Sequence, residues 1–243
     1  MARPRSNTYC HPPRRTASMP LEHKGVRITY LEHDSFLIEW KGMRIYTDPY
    51  KLPQPRYPVG DVVTISHEHF DHLSPDDLRK VAGPGTDVVA SANCRGKIPV
   101  GRATYLSPGS SATVRGIEIS AVPAYNVNKF SAPGKPFHPR DYAGVGFLIR
   151  LGDVTVYHAG DTDHIPEMRD LRGKVAVALL PVSGTYVMTA EEAAEAAAEI
   201  SPEIAVPMHW GAIVGDRKDA ERFRDLLKGK VRVEVLDKER VPG

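Results

Sequence analysis

The sequence predicts an α/β protein in which two sheets pack face to face with helices outside them. Three observations carry that prediction. Both halves of the 243-residue chain are rich in short apolar strands, each half is finished by helical segments, and three polar clusters each follow directly on an apolar strand.

Residues 1–24 carry Arg3, Arg5, Arg14 and Arg15 among Pro4, Pro12, Pro13 and Pro20, with little apolar content and no periodicity, and read as a disordered basic tail. They contain neither the apolar stretch of a secretion signal nor the amphipathic helix of a transit peptide. Met19 is an alternative start, which would place the tail outside the native chain. Residues 25–243 then form one domain.

From residue 26, strands follow at 26–31, 36–40 and 44–47, separated by turns such as Lys41-Gly42. The strand 61–66 runs into His67, and a helix opens at Ser74, where the hydroxyl can cap and Pro75 suits the first helical position. Strands at 88–90, 104–106 and 117–122 lead into a loop from 123 to about 142 that holds Pro133, Gly134, Pro136 and Pro139. A connection this long inside a compact domain is usually functional, often a lid, or else disordered.

The second half alternates differently. Strands are expected at 146–151, 154–159 and 175–182, the last a continuous apolar run suited to burial on both faces. Helix 189–200 opens with the capping box Thr189-x-x-Glu192 and is filled with alanine. A strand at 203–208, a helix at 216–227 ended by Gly229 and a strand at 231–236 complete the chain.

Composition excludes several classes of function. Lys and Arg total 32 against 30 Asp and Glu, for a net charge of +2, and no basic stripe is available for nucleic acid. Cys10 and Cys94 are the only cysteines, too few for a disulfide scaffold or a thiolate zinc module. Mean hydropathy is −0.33. No apolar run approaches the roughly 18 residues of a membrane span. A cytoplasmic protein acting on a small molecule is the expectation.

Three histidines fall within six residues in Ser66-His67-Glu68-His69-Phe70-Asp71-His72, directly after a strand. His67 and His69, two apart in an extended segment, project to one side and can chelate one ion. Asp71 and His72 fall where the chain turns towards the helix and can face a second ion about 3.5–4 Å away. Imidazole and carboxylate suit zinc and its first-row neighbours, and the lack of thiolate weighs against a purely structural zinc site. Further donors stand at later strand ends. Asp161 follows strand 154–159 after Gly160, which permits a tight turn, and His209 follows the strand ending at Met208.

With these residues in view, the chain resembles the metallo-β-lactamase superfamily, whose His-x-His-x-Asp-His signature is matched by His67, His69, Asp71 and His72. It is similar in particular to the lactonase-like branch, which includes ascorbate-6-phosphate lactonase and N-acyl-phosphatidylethanolamine phospholipase D relatives. The residues that point there are His33-Asp34-Ser35-Phe36-Leu37-Ile38-Glu39, Thr47-Asp48-Pro49, Tyr157-His158-Ala159-Gly160-Asp161-Thr162 and His209-Trp210.

The resemblance implies a four-layer αββα sandwich of two mixed sheets with outer helices. It implies a metal-dependent hydrolase that uses an activated water on an ester, lactone or related small substrate, with one or two ions of zinc or manganese. His67 and His69 would hold the first ion, Asp71, His72 and His209 the second, and Asp161 would bridge them. Asp71 would orient the nucleophile and move its proton, with His33 helping the leaving group. The alternatives are a phosphodiesterase of the same fold and a non-catalytic, metal-dependent sensor.

One position departs from the family pattern. Relatives place a further first-site histidine in a Pro-Ala-x-His turn, whereas this chain reads Pro123-Ala124-Tyr125-Asn126. An amide oxygen is a weaker zinc ligand than imidazole, so the first site would be loosely held, completed by waters, occupied by manganese, or compensated by His138 or His33.

The remaining residues carry ordinary readings beside functional ones. His33 is either an exposed turn histidine or a border of the site. Asp48 is expected to orient a metal ligand rather than bind metal. His158 is expected as a satisfied core histidine, and His164 as a surface residue within reach of a substrate. Tyr125, Tyr186 and Trp210 are either pocket walls or core. His11 and His23 lie in the expected tail.

Overall fold

A computed structural model describes residues 19–239 and 241. Most of the expected tail, residues 1–18, lies outside them. Its last residues do not behave as a tail, because β1 (Leu21–His23) pairs antiparallel with β2 (Val26–Glu32) through a tight turn in which Lys24 and Gly25 have positive φ. Leu21 is buried in the core, which gives this short strand its anchor.

The first sheet continues as a meander through β3 (Ser35–Trp40) and β4 (Met43–Thr47). It then runs parallel through β5 (Val62–Ile65), β6 (Asp87–Ser91) and β7 (Arg102–Leu106), in the order β1-β2-β3-β4-β5-β6-β7. Helix α1 (Pro75–Val81) lies between β5 and β6 in the chain, capped by Ser74, whose hydroxyl accepts from the Asp77 amide.

The second sheet begins with the antiparallel strands β8 (Ser111–Val114) and β9 (Ile117–Pro123). The loop that follows contains a small hairpin, β10 (Phe130–Ala132) with β11 (Lys135–Pro136). The sheet then adds β12 (Val145–Leu151), β13 (Val154–His158), β14 (Val177–Pro181), β15 (Ile204–Met208) and β16 (Arg232–Val233). Its order is β16-β15-β14-β13-β12-β9-β8, antiparallel from β8 to β13 and parallel from β13 to β16. Helices α2 (Ala190–Ile200) and α3 (Arg217–Leu226) follow β14 and β15.

The period of two along each strand explains the layering. Phe36 and Ile38 of β3, Ile45 of β4, Val62 of β5 and Val89 of β6 join the core shared with the second sheet, where they meet Ile119, Phe147, Ile149 and Val156. Their neighbours Leu37, Tyr46, Val63, Ile65 and Val88 face the other way and pack with Leu78 and Val81 of α1. The alanine face of α2 (Ala193, Ala197, Ile200) is fully buried in the larger core. The result is the expected four layers: helix, mixed sheet, mixed sheet, helices. Among the described residues no helix is long and apolar enough to cross a membrane.

The chain departs from the expected elements where local signals are weak. β8 is a four-residue strand at the sheet edge whose alternate residues Ala112 and Val114 pack, partly buried, against the core. The last strand shrinks from 231–236 to Arg232–Val233. β1 was hidden in a basic, proline-rich stretch and is held by its partner strand rather than by its own composition.

Candidate metal centre

The cluster forms where strand ends from both sheets meet. His67, His69, Asp71 and His72 follow β5, Asp161 follows β13, and His209 directly follows β15, all at the carboxyl ends of strands. The Asp161 turn depends on Gly160. A Cβ there would stand 2.8 Å from the Val145 carbonyl oxygen and 3.0 Å from Ser66 Cβ, at a φ of +62°. Asp161 is nearly fully buried, as are His67, His72 and His209.

The six expected ligands converge, and two further histidines join them. The ligand atoms of His67, His69 and His138 lie within 4.8 Å of one another, as do those of His33, Asp71, His72 and His209, and those of His67, His72 and Asp161. Asp161 reaches both groups. Its Oδ1 is 3.2 Å from His72 Nε2, and its Oδ2 is 3.3 Å from His209 Nε2 and 3.5 Å from His138 Nε2.

The partners behind the rings fix which nitrogen faces inward. Asp48 Oδ2 accepts a hydrogen bond from His72 Nδ1 at 2.8 Å. Ser66 gives its hydroxyl proton to Asp48 Oδ2 at 2.5 Å, which leaves its oxygen to accept from His67 Nδ1 at 3.0 Å. Asn126 Oδ1 accepts from His138 Nδ1 at 2.9 Å, and Ser183 Oγ is 2.8 Å from His209 Nδ1. In these four rings Nδ1 is engaged outward and Nε2 is left for the centre.

His69 meets the others through Nδ1, 3.1 Å from His67 Nε2 and 3.1 Å from His138 Nε2. Two of these three nitrogens carry lone pairs aimed at the same point, an arrangement that a cation stabilises and hydrogen bonding alone does not satisfy. The second group shows the same signature. His72 Nε2, His209 Nε2 and Asp161 Oδ1 are buried, close together and without an aligned hydrogen bond. The residues present therefore fit divalent ions.

Electrostatics agree. Burial lowers the proton affinity of His67, His69 and His138, the last to about 4, so these imidazoles are neutral and ready to donate. Burial works against the charge of Asp161, yet His209 and His72 hold its carboxyl well below the usual range. His72 and His209 are desolvated too, but Asp161 outweighs that and raises both, His209 to about 9. A cation at those nitrogens displaces their protons.

His33 is fully buried rather than an exposed turn residue. Its Nε2 lies 3.3 Å from Asp71 Oδ2, and its ring centroid lies 4.0 Å from that of His209. Burial and then His209 push its pKa down to about 4. Asp71 is desolvated, but its hydrogen bond with His33 and the nearby His72 hold it at about 2.

The long loop brings His138 to the cluster. Asn126 sits at the expected turn, but its side chain holds His138, twelve positions on, instead of reaching the centre. Asn126 Nδ2 in turn donates to Asp163 Oδ1 at 3.1 Å and to the Tyr186 carbonyl at 2.9 Å. Buried Asp163 also accepts from the Val127 and Asn128 amides. Lys129 pins the same segment to Glu192 at the start of α2. Asp163 was not anticipated; its only signal is its place two residues after Asp161.

Other expectations resolve simply. Asp48 orients His72. His158 is buried and bonds the Asp34 carbonyl at 2.9 Å. His164 pairs with Glu199 at 2.7 Å, and His23 with Glu203 at 3.1 Å. Trp210 packs on Tyr30, and Tyr125 donates to Glu167, so Tyr186 alone of the three aromatics borders the cluster's cleft. That cleft, about 260 Å³, is lined by His69, Phe70, Asp71, Phe137, His138, Asp161, Tyr186 and Ile213. A larger hollow of about 560 Å³ is lined by residues of β9, β12 and β13, among them Glu118 and Arg150, and by Lys174, and contains none of the clustered donors.

Residues 27–209 match the family model described as the beta-lactamase superfamily domain. A UPF0173 metal-dependent hydrolase of Methanosarcina mazei is 30% identical over 221 residues, 87% of this chain and 94% of the relative. The chain belongs to the UPF0173 metal-dependent hydrolase family of the metallo-β-lactamase superfamily. A UPF0173 protein of Pyrococcus abyssi is 33% identical over 87% of this chain and 96% of its own length. Among solved structures, a candidate metal-dependent hydrolase of Parabacteroides distasonis superposes with a TM-score of 0.77 at 32% identity, covering 88% of this UPF0173 chain and 94% of its own. The metallo hydrolase Igni18 of Ignicoccus hospitalis superposes with a TM-score of 0.68 at 26% identity, covering 88% and 96%.

Proposed function

We propose that the protein is a hydrolase holding two divalent ions, zinc or manganese, and cleaving an ester or lactone bond in a small molecule, as in lactonase-like members of the superfamily. The observation that carries this reading is the convergence of inward-facing ring nitrogens around Asp161, four of them backed by an outward partner on the other ring nitrogen. In this reading His67, His69 and His138 would hold the first ion and Asp71, His72 and His209 the second, with Asp161 available to both.

Such ions polarise a carbonyl oxygen and lower the pKa of a water towards about 7. The chain supplies the rest. Asp71, held ionised beside His33, aligns the attacking water and takes its proton at Oδ2. The proton held at Oδ2 is then returned to the departing alkoxide, while His33, whose Nε2 lies 3.3 Å from that oxygen, keeps the carboxylate oriented. Asp48, Ser66, Ser183 and Asn126 keep the rings oriented.

The test is metal analysis of protein purified without chelator, with an ester and lactone panel under added zinc or manganese. Two equivalents of metal and turnover are expected, and Asp161→Ala should lose both. Absence of stoichiometric metal would overturn the reading. Two tight equivalents with no turnover across the panel would leave a sensor in its place.

A further inference from the structure

The cleft over the cluster has a polar floor and apolar walls. The floor is His69, Asp71, His138 and Asp161; the walls are Phe70, Phe137, Tyr186 and Ile213. Phe70 stands between two floor residues in sequence yet is 67% exposed, and Ile213 is 38% exposed. Phe137 and Tyr186 meet edge to face with centroids 4.8 Å apart. Exposed phenylalanine and isoleucine flanking one concave site mark a surface that gains by covering.

No Lys or Arg is among the lining residues. Two nearby lysines are engaged elsewhere: Lys51 Nζ bonds the Ala212 carbonyl at 3.1 Å, and Lys129 pairs with Glu192 at 2.7 Å. Recognition of a remote phosphate or carboxylate calls for such cations. Here that end of a substrate would instead meet three apolar side chains and the ring of Tyr186.

Building on the hydrolase reading, we propose that the substrate is uncharged away from its scissile bond and carries there a compact apolar or aromatic group, held between Phe70, Phe137, Tyr186 and Ile213. Phe137 is the residue before His138, so one short segment carries both a wall and a donor. The part of the substrate that does not react is thereby selected by shape and hydration, not by charge.

Two metal-directed probes with one chelating group test this on the metal-loaded protein by calorimetry: benzohydroxamic acid and its 4-carboxy derivative. The neutral probe should bind at least about tenfold more tightly. Ile213→Arg, at the exposed rim, should shift that ratio towards the carboxylate by about tenfold while metal content stays at two equivalents. Tyr186→Ala should weaken the neutral probe and leave metal content unchanged. Equal or tighter binding of the carboxylate probe to the unaltered protein, or a ratio unmoved by Ile213→Arg, overturns the proposal, while two bound equivalents leave the hydrolase reading intact. A protein that takes up no metal sinks both.

Discussion

Asn126 Oδ1 accepts two hydrogen bonds from His138, from its backbone amide at 2.8 Å and from its ring Nδ1 at 2.9 Å. The residue that breaks the family pattern therefore positions a histidine that clusters with His67 and His69. Removing His138 as His138→Ala should lower metal stoichiometry from two to one, read by metal analysis after dialysis. Asn126→Ala keeps the imidazole but frees its ring, so first-site affinity should fall by about 10–100-fold with the second site unchanged, read by metal titration.

Asp48 accepts from the Ser66 amide, the Ser66 hydroxyl and His72 Nδ1 without facing the centre itself. Asp48→Asn removes the charge that sets the His72 tautomer. Second-site affinity should drop by about 10–100-fold, and the buried network should lose about 1–3 kcal/mol in denaturant unfolding.

Gly160→Ala forces a Cβ against the Val145 carbonyl and Ser66 at a left-handed φ. The cost should be at least about 2 kcal/mol. At this chain length that corresponds to a Tm lower by about 4–8 °C. Metal content should fall with it, because the turn aims Asp161.

Glu192 is partly desolvated, which raises its pKa, but Lys129, the Thr189 amide and Asn128 outweigh this and leave it lowered. A folded-state pKa below the unfolded value of about 4.3 gives stability that is present above that pH and lost as pH falls through the folded value. Below about pH 4, amide exchange in the 126–138 segment should accelerate before global unfolding. In Glu192→Gln that acid-dependent step should vanish and the segment should exchange faster at neutral pH.

Ligands that bind only the folded state stabilise it, by about 4 kcal/mol at a thousandfold excess over Kd. Adding zinc or manganese to chelator-treated protein should therefore raise Tm, and Asp161→Ala should blunt the rise.

Much of this was legible in the sequence because it rests on local chemistry. The His67–His72 string, the glycine turn before Asp161 and the capping box Thr189–Glu192 each declare themselves within a few residues, and the alternation in β3 to β5 separates two cores. What was hidden depends on distant partners. β1 is held by β2, β8 is a short edge strand whose Ala112 and Val114 are only partly buried against the core, and His138 reaches the cluster only because Asn126 and Asp163 fold its loop back. For His33 the sequence left an exposed turn and a border of the site open, and burial against His209 and Asp71 decides for the second.

The His209 amide donates to the His33 carbonyl at 3.1 Å, and both residues hold left-handed backbone, at φ of +59° and +51°. The bond crosses from one sheet to the other at the centre itself. Cutting the chain between β7 and β8 would leave His67, His69, Asp71 and His72 on one fragment and His138, Asp161 and His209 on the other. Neither fragment would own a complete coordination sphere, so metal uptake by the mixed fragments would serve as a direct readout of their reassembly.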